Sequence, residues 1–248
     1  MTKILLILTA LQVVYGSNKS FINFGSFICP REDKALGQCL RNAFNSYVPQ
    51  LATGVPEYGV PPCEPLLVPA ISIQQSAGPI SVTSSYTDVS VTGPSKMRVK
   101  NVEVDSKKHQ VIASLYIPEL RMKGNYNLKG QLFMLPIEGD GVFYAKYDDI
   151  DATVTIILGR KRRPNSVDAL ACKSLEVKFH VGNASMKLEN LFGGDSDLGN
   201  AMNKFLNENW EKLSNELQAP MEKALQDVLK PLADHAFSIL DADDVLLP

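Results

Sequence analysis

From Met202 to Ile239 the apolar residues Met202, Leu206, Trp210, Leu213, Leu217, Met221, Leu225, Val228, Leu232, Ala236 and Ile239 recur at steps of three and four. Ten steps cover 37 positions, a mean of 3.7, which keeps them on one face of an α-helix. Leu198, Phe205, Leu229, Phe237 and Leu240 widen that face. A two-stranded coiled coil needs a mean of about 3.5 and a narrower seam, so this face is expected to pack on the chain's own sheet. Asp195, Ser196 or Asp197 can cap the helix start by accepting its free N–H groups. Pro220 and Pro231 are expected to bend the rod, since each removes one backbone hydrogen bond and crowds the preceding turn.

The rest of the chain supplies the sheet. Between Leu66 and about Leu191 the apolar period falls to two. Val111, Ala113, Leu115 and Ile117 alternate with their neighbours, as do Ile150 to Leu158 and Leu175 to Val181. One face buried and one wet marks antiparallel strands. Turns are expected at Gly78-Pro79, Gly93-Pro94, Gly124-Asn125 and Gly139-Asp140-Gly141. No crossover helix intervenes, which excludes a parallel α/β sheet. A shorter helix is expected over Glu32 to Leu51, followed by an extended Gly/Pro connector to Pro62. About 43 helical residues span ~65 Å, whereas a compact globule of this size is roughly 45 Å across. The body must therefore be elongated, with curved antiparallel strands wrapped along the rod, and its apolar interior is a tube that side chains or a ligand could fill.

The first sixteen residues have the anatomy of a secretory leader. Lys3 precedes the mostly apolar run Ile4–Val14, and Val14 and Gly16 stand at the small-residue positions before a cleavage point. That run is too short to cross a bilayer, which takes about 20 apolar residues. Residues 17–248 are expected to form a single exported domain of 232 residues, with 24 basic against 27 acidic side chains. Near-neutral charge argues against nucleic acid, which needs a clustered positive surface. The block Arg160-Lys161-Arg162-Arg163 reads as a solvated hairpin tip. Asn18 and Asn183 begin glycosylation sequons. Cys29, Cys39, Cys63 and Cys172 allow three pairings. The short Cys29–Cys39 loop is the cheapest to close, which favours Cys29–Cys39 with Cys63–Cys172. Their spacing does not suit zinc.

Three segments resemble the insect takeout family, relatives of the juvenile-hormone-binding proteins. They are Asn190 to Trp210 (NLFGGDSDLGNAMNKFLNENW), Gly54 to Leu66 (GVPEYGVPPCEPL) and Leu135 to Gly141 (LPIEGDG). The resemblance covers essentially all of residues 17–248. It implies an α+β fold in which a strongly curved antiparallel sheet wraps a long C-terminal amphipathic helix, beside a short N-terminal helix. It also implies a tubular lipid-binding interior with a tunnel for a terpenoid, fatty-acid-like or other long apolar ligand. Cys63 departs from the takeout pattern, where an aliphatic residue is expected. Hormone-binding relatives pair a cysteine near Cys172 with the C-terminal helix, which has none here. The ligand identity of the hormone-binding proteins therefore does not transfer.

An enzyme finds little support. His109, His180 and His235 fall at polar positions, and neither a Gly-x-Ser-x-Gly elbow nor a His-Glu-x-x-His helix occurs. Gly124 to Gly130 lacks the Gly-Lys-Ser/Thr of a phosphate loop, and Asp148, Asp149 and Asp151 read as the wet face of a strand. The expectation is a secreted, monomeric carrier without cofactor or metal, which binds a small hydrophobic ligand and could meet a receptor. The competing expectation is an extracellular scaffold or signalling protein whose core is filled by its own side chains. Val154, Ile156 and Leu158 on the sheet, with Phe205, Leu206, Trp210, Leu213, Leu217, Met221 and Leu225 on the helix, are the expected tunnel wall.

Overall fold

The computed structural model describes residues 21–24, 27–54, 61–76, 78–164 and 167–246. The expected leader and the Asn18 sequon lie outside them. Strands β1 (Phe21–Phe24) and β2 (Phe27–Pro30) form a hairpin ahead of helix α1 (Asp33–Leu51). Then come β3 (Leu66–Gln75), β4 (Ile80–Thr92), β5 (Arg98–Asp105), β6 (Gln110–Leu132), β7 (Leu135–Lys161) and β8 (Ala169–Leu188). The C-terminal helices are α2 (Ser196–Glu208), α3 (Trp210–Phe237) and the short α4 (Ala242–Val245).

One antiparallel sheet runs in the order β3-β4-β6-β7-β8. Strand β6 is long enough to be shared: residues 121–132 pair with β4, and residues 110–116 pair with β5. The sheet bends at a row of irregularities. Pro118 and Asp149 drop out of the β6–β7 ladder, and Asp149 also drops out opposite Gly182 on β8. Asp149 sits at φ 52°, and a side chain on Gly182 would meet the Asp149 Cβ at 2.8 Å. The register is the same on both sides of this row, with one residue of each strand left unpaired.

The sheet does not close on itself, and the helices occupy the seam. Helix α3 lies along β8 and also reaches β3, the opposite edge. Edge strands expose unpaired N–H and C=O groups, and here helix side chains bind several of them. Asn207 accepts from the Met186 N–H at 2.9 Å and donates to its carbonyl at 2.8 Å; Asn203, one turn earlier, does the same for Leu188 at 2.8 and 2.9 Å. Further along, Gln218 donates to the Phe179 carbonyl and Asp234 accepts from the Cys172 N–H. On β3, Pro69 removes one donor from the edge, as edge strands tolerate, and the Gln75 amide donates to the Glu216 carbonyl at 3.4 Å.

Several expectations change. The long helix is two helices, broken at Asn209 (φ −113°, ψ 18°), whose side-chain amide donates to the Phe205 carbonyl at 2.9 Å. Pro220 and Pro231 both stand inside the unbroken α3. Asp195 is the cap, accepting from the N–H groups of Asp197 and Leu198. Gly124, Gly139 and Gly141 are not turns but lie within β6 and β7. They permit close approach: a Cβ on Gly124 would come within 2.9 Å of the Thr87 carbonyl, and one on Gly141 within 2.7 Å of the Glu189 carbonyl. The basic block is only partly solvated. Arg160 pairs with Asp243, while Arg163 binds Asp241 and the carbonyls of Ser238 and Leu240.

Cys29 and Cys39 form a disulfide, whereas Cys63 and Cys172 are free thiols and not bonded to each other. The register gives the reason. Leu66, just beyond Cys63, shares a row with Val91, Met122, Ala145 and Met186. Met186 is fourteen residues along β8 from Cys172, or ~45 Å of extended strand, and a disulfide needs Cα atoms within about 7 Å. Thiol counting on the unfolded, unreduced protein should find two reactive cysteines, Cys63 and Cys172. A peptide joining them would contradict this arrangement. Asn207→Ala strands the Met186 N–H and C=O and should lower unfolding free energy by about 1–3 kcal/mol, measured by denaturant titration.

Candidate functional site

The register sorts the inner face of the sheet into rows. On one side of the bend these are Val111–Ile156–Leu175, Ala113–Val154–Val177, Leu115–Ala152–Phe179 and Ile117–Ile150–Val181. On the other side they continue as Leu120–Tyr147–Ala184, Met122–Ala145–Met186 and Gly124–Phe143–Leu188. Across the unpaired row the inward positions change parity on all three strands together, from Ile117, Ile150 and Val181 to Leu120, Tyr147 and Ala184, while the pairing register is kept.

Coverage differs between the two halves. Beyond the bend, Phe143, Ala145, Tyr126, Leu128, Ile80, Ile137 and Leu191 are buried in one continuous core with Met202, Leu206 and Leu213 from the helices. Leu120, Met122, Tyr147 and Met186 pack half-buried against that core. Before the bend, Val111, Ala113, Leu115, Ile117, Ala152, Val154 and Ile156 are all only half-buried. Val154 and Ile156 touch the small cluster formed by Cys172, Leu175 and Val177 with Leu229, Ala233 and Phe237. Trp210 and Ile117 pack on Ile150, Val181 and Ala184. Among the described residues, no buried cluster takes in Ala113, Leu115 or Ala152, nor Met221 and Leu225 on α3. These are apolar positions of β6, β7 and the middle of α3 that stand outside the packed clusters.

Tyr147 packs between the core beyond the bend and the cluster around Ile150, Val181 and Ala184. Burial pushes its phenol up to about 12, with Tyr86 adding to the shift. No hydrogen bond to its hydroxyl is made among the described residues. For Tyr86, burial raises the phenol and a hydrogen bond with Ser84 opposes the shift. Tyr126 is different. It is buried, donates to the Glu189 carbonyl at 2.6 Å, and is pushed up to about 12 by burial, with Asp140 second.

The ten expected wall residues therefore separate. Val154 and Ile156 are half-buried against Leu175 and Val177, Met221 is half-buried, Leu225 is 37% exposed, and Leu217 is half-buried at the margin of the core. Leu206 and Leu213 are 3% and 4% exposed within that core, and Phe205 packs against it. Leu158 lies under the C-terminal segment with Leu170, Ala242 and Leu246. Two surface cavities, of about 390 and 580 Å³, are bordered by none of the ten; the larger is lined by Met122, Ala145, Met186 and Asn207 among others. Among the described residues no His/Cys/Asp/Glu group could hold a metal ion. The acidic triplet on the outer face is engaged, Asp148 with Lys146, Asp149 with the Tyr116 hydroxyl and Asp151 with Lys100. The sequon residue Asn183 is exposed on β8.

The family model for haemolymph juvenile hormone binding proteins (JHBP) matches residues 4–247. The chain belongs to this family. Its relatives include the circadian clock-controlled protein daywake of Drosophila melanogaster, 21% identical over 223 residues, which cover 87% of this chain and 85% of daywake. A putative beta-carotene-binding protein of Schistocerca gregaria is 22% identical over 205 residues, covering 82% and 81% of the two chains. Among solved structures, Takeout 1 of Epiphyas postvittana superposes with a TM-score of 0.73 at 25% identity, covering 86% of this chain and 96% of that one. The curved sheet over a C-terminal amphipathic helix is thus the takeout fold. No described helix is long and apolar enough to cross a membrane.

The desolvated phenol has a pH signature. Tyr147 binds its proton more tightly folded, at about 12, than unfolded, at about 10. Its contribution to stability is complete below about 10 and is lost as the pH rises towards about 12. Tyr147→Phe should flatten part of the alkaline fall in thermal midpoint, and an unchanged profile would place the phenol in solvent.

Proposed function

We propose that this member of the JHBP family is a secreted, monomeric carrier that holds a long apolar molecule in a trough between β6, β7 and α3. The observation that carries this reading is that Ala113, Leu115 and Ala152 on β6 and β7 and Met221 and Leu225 on α3 stand outside every packed cluster of described residues, whereas the core around Ile80, Ile137 and Leu191 is tightly buried. Apolar surface left uncovered inside a domain forfeits about 25 cal/mol per Å², and a ligand lying there recovers that energy. Removing ~300 Å² from water would gain roughly 7 kcal/mol before the costs of binding. The lining is Val, Ile, Leu, Ala and Met, so shape and length govern selection and few polar contacts are needed. The Tyr147 and Tyr86 phenols supply the polar atoms at the inner end. Export is supported by the leader-like first sixteen residues and by the Cys29–Cys39 disulfide, a bond that persists in oxidising compartments.

The test is a titration of delipidated, folded protein with cis-parinaric acid. Binding should saturate at one ligand per chain and alter the emission of Trp210, which packs beside Ile150 and Val181. Met221→Trp fills the trough from the helix side and should weaken long-chain ligands more than short ones, with thermal unfolding measured on the same variant because overpacking costs about 1–3 kcal/mol. A folded parent that binds no apolar ligand would overturn the carrier reading in favour of an interaction scaffold.

A further inference from the structure

Beyond the bend, the β6–β7 hairpin closes with Leu132 paired to Leu135, leaving Phe133 and Met134 as a two-residue turn. Both have left-handed backbone, φ 48° and φ 74°. Tight hairpins of this kind favour Asn-Gly, because side chains beyond glycine and asparagine are strained there. Here the strained turn carries two large apolar side chains. Phe133 is tied down: its N–H donates to the Pro79 carbonyl at 2.9 Å and its ring meets Phe205 edge-on at 6.3 Å. Met134 is left outside at 89% exposure, with Leu135 at 43%. Leu198, 53% exposed, lies two turns before Phe205 on the same side of α2. From Leu132 to Ile137 the sequence carries neither a charge nor a hydrogen-bonding side chain.

We propose that this tip is an anchor for a lipid surface with zwitterionic headgroups. Backbone strain that presents apolar side chains to solvent gives the isolated protein nothing, whereas insertion at a membrane interface recovers the energy of burying them. The surrounding charge selects the headgroup. Glu138 and Asp140, four and six residues beyond Met134 on β7, and Asp195 and Asp197, at the start of the helix whose Phe205 meets Phe133, are exposed, against an exposed Lys129 opposite Glu138. Such a rim complements the outward trimethylammonium of phosphatidylcholine and repels an anionic surface. The proposal stands apart from the trough, which lies in the other half of the sheet.

Sedimentation of the full mature chain with phosphatidylcholine vesicles tests it. The parent should co-sediment, and replacing part of the phosphatidylcholine by phosphatidylglycerol at low salt should weaken binding. Met134→Asp and Leu198→Ser should each weaken it about tenfold, while thermal unfolding and parinaric acid binding stay at parental values. A folded parent that leaves the vesicles in solution, tighter binding to the anionic vesicles, or a Met134→Asp variant that sediments like the parent overturns the proposal. In the first case the tip becomes a contact for a protein whose apolar pocket is rimmed by cations. Because parinaric acid binding is read separately, failure here is distinguishable from failure of the carrier reading.

Discussion

The architecture depends on the burial of one amphipathic helix surface against a sheet that cannot close. Strands β3 and β8 end the sheet and do not pair with one another, so both edges and the concave apolar face would meet water without α2 and α3. The helices answer both needs. Leu206 and Leu213 supply the apolar face, while Asn203, Asn207, Gln218 and Asp234 bind backbone groups of β8. A side-chain amide presents a donor and an acceptor as a peptide does, so each asparagine stands in for one residue of a missing neighbouring strand. The ion pair from Glu222 on α3 to Lys178 on β8, at 2.7 Å, adds to the same seam. Burial works to raise the Glu222 carboxyl, but Lys178 and Gln218 outweigh it and hold it below its ordinary value.

The irregularities at Pro118, Asp149 and Gly182 divide the inner face into two environments. Beyond them the packing is close enough that a side chain on Gly139 would reach the Tyr126 hydroxyl and Leu191. Before them Ala113, Leu115 and Ala152 stand outside every packed cluster of described residues. The packed half fixes the backbone, and preorganised walls are what let an apolar site select by length and width.

Much of this was legible in the sequence, for identifiable reasons. The apolar period of the C-terminal segment and the alternation of β6, β7 and β8 report which face is buried, because burial selects side chains directly. What escaped was set by particular contacts. The break at Asn209 arises from one residue whose amide reaches back to Phe205, while the prolines, the conspicuous helix breakers, are accommodated. Glycines that look like turns are sites of close backbone approach, and the actual turn uses Phe133 and Met134. The Cys63–Cys172 pairing failed because loop entropy says which bridge is cheap, not which residues the register brings together. Of the residues expected to line a tunnel, Leu158, Leu206 and Leu213 are buried in packed clusters. Periodicity identifies an inward side chain without saying whether anything stands opposite it.

An interior left partly uncovered has a thermodynamic consequence. Empty apolar volume costs about 24 cal/mol per Å³ in core substitutions, and a domain's net stability is only about 5–15 kcal/mol. A body of this kind tolerates open space only if another region carries the stability. The core around Ile80, Val89, Ile137 and Leu191 does so here, with those four side chains at most 2% exposed. The ion pairs add little, because nearly all lie at the surface, where such pairs contribute about 0–1 kcal/mol. Occupancy of the trough then feeds back on the fold: a molecule that binds only the native state stabilises it by about 2.7 kcal/mol at a hundredfold excess over its Kd. On the carrier reading proposed above, cargo would complete the less tightly packed half of the sheet, and its binding would be coupled to folding through the same apolar surface.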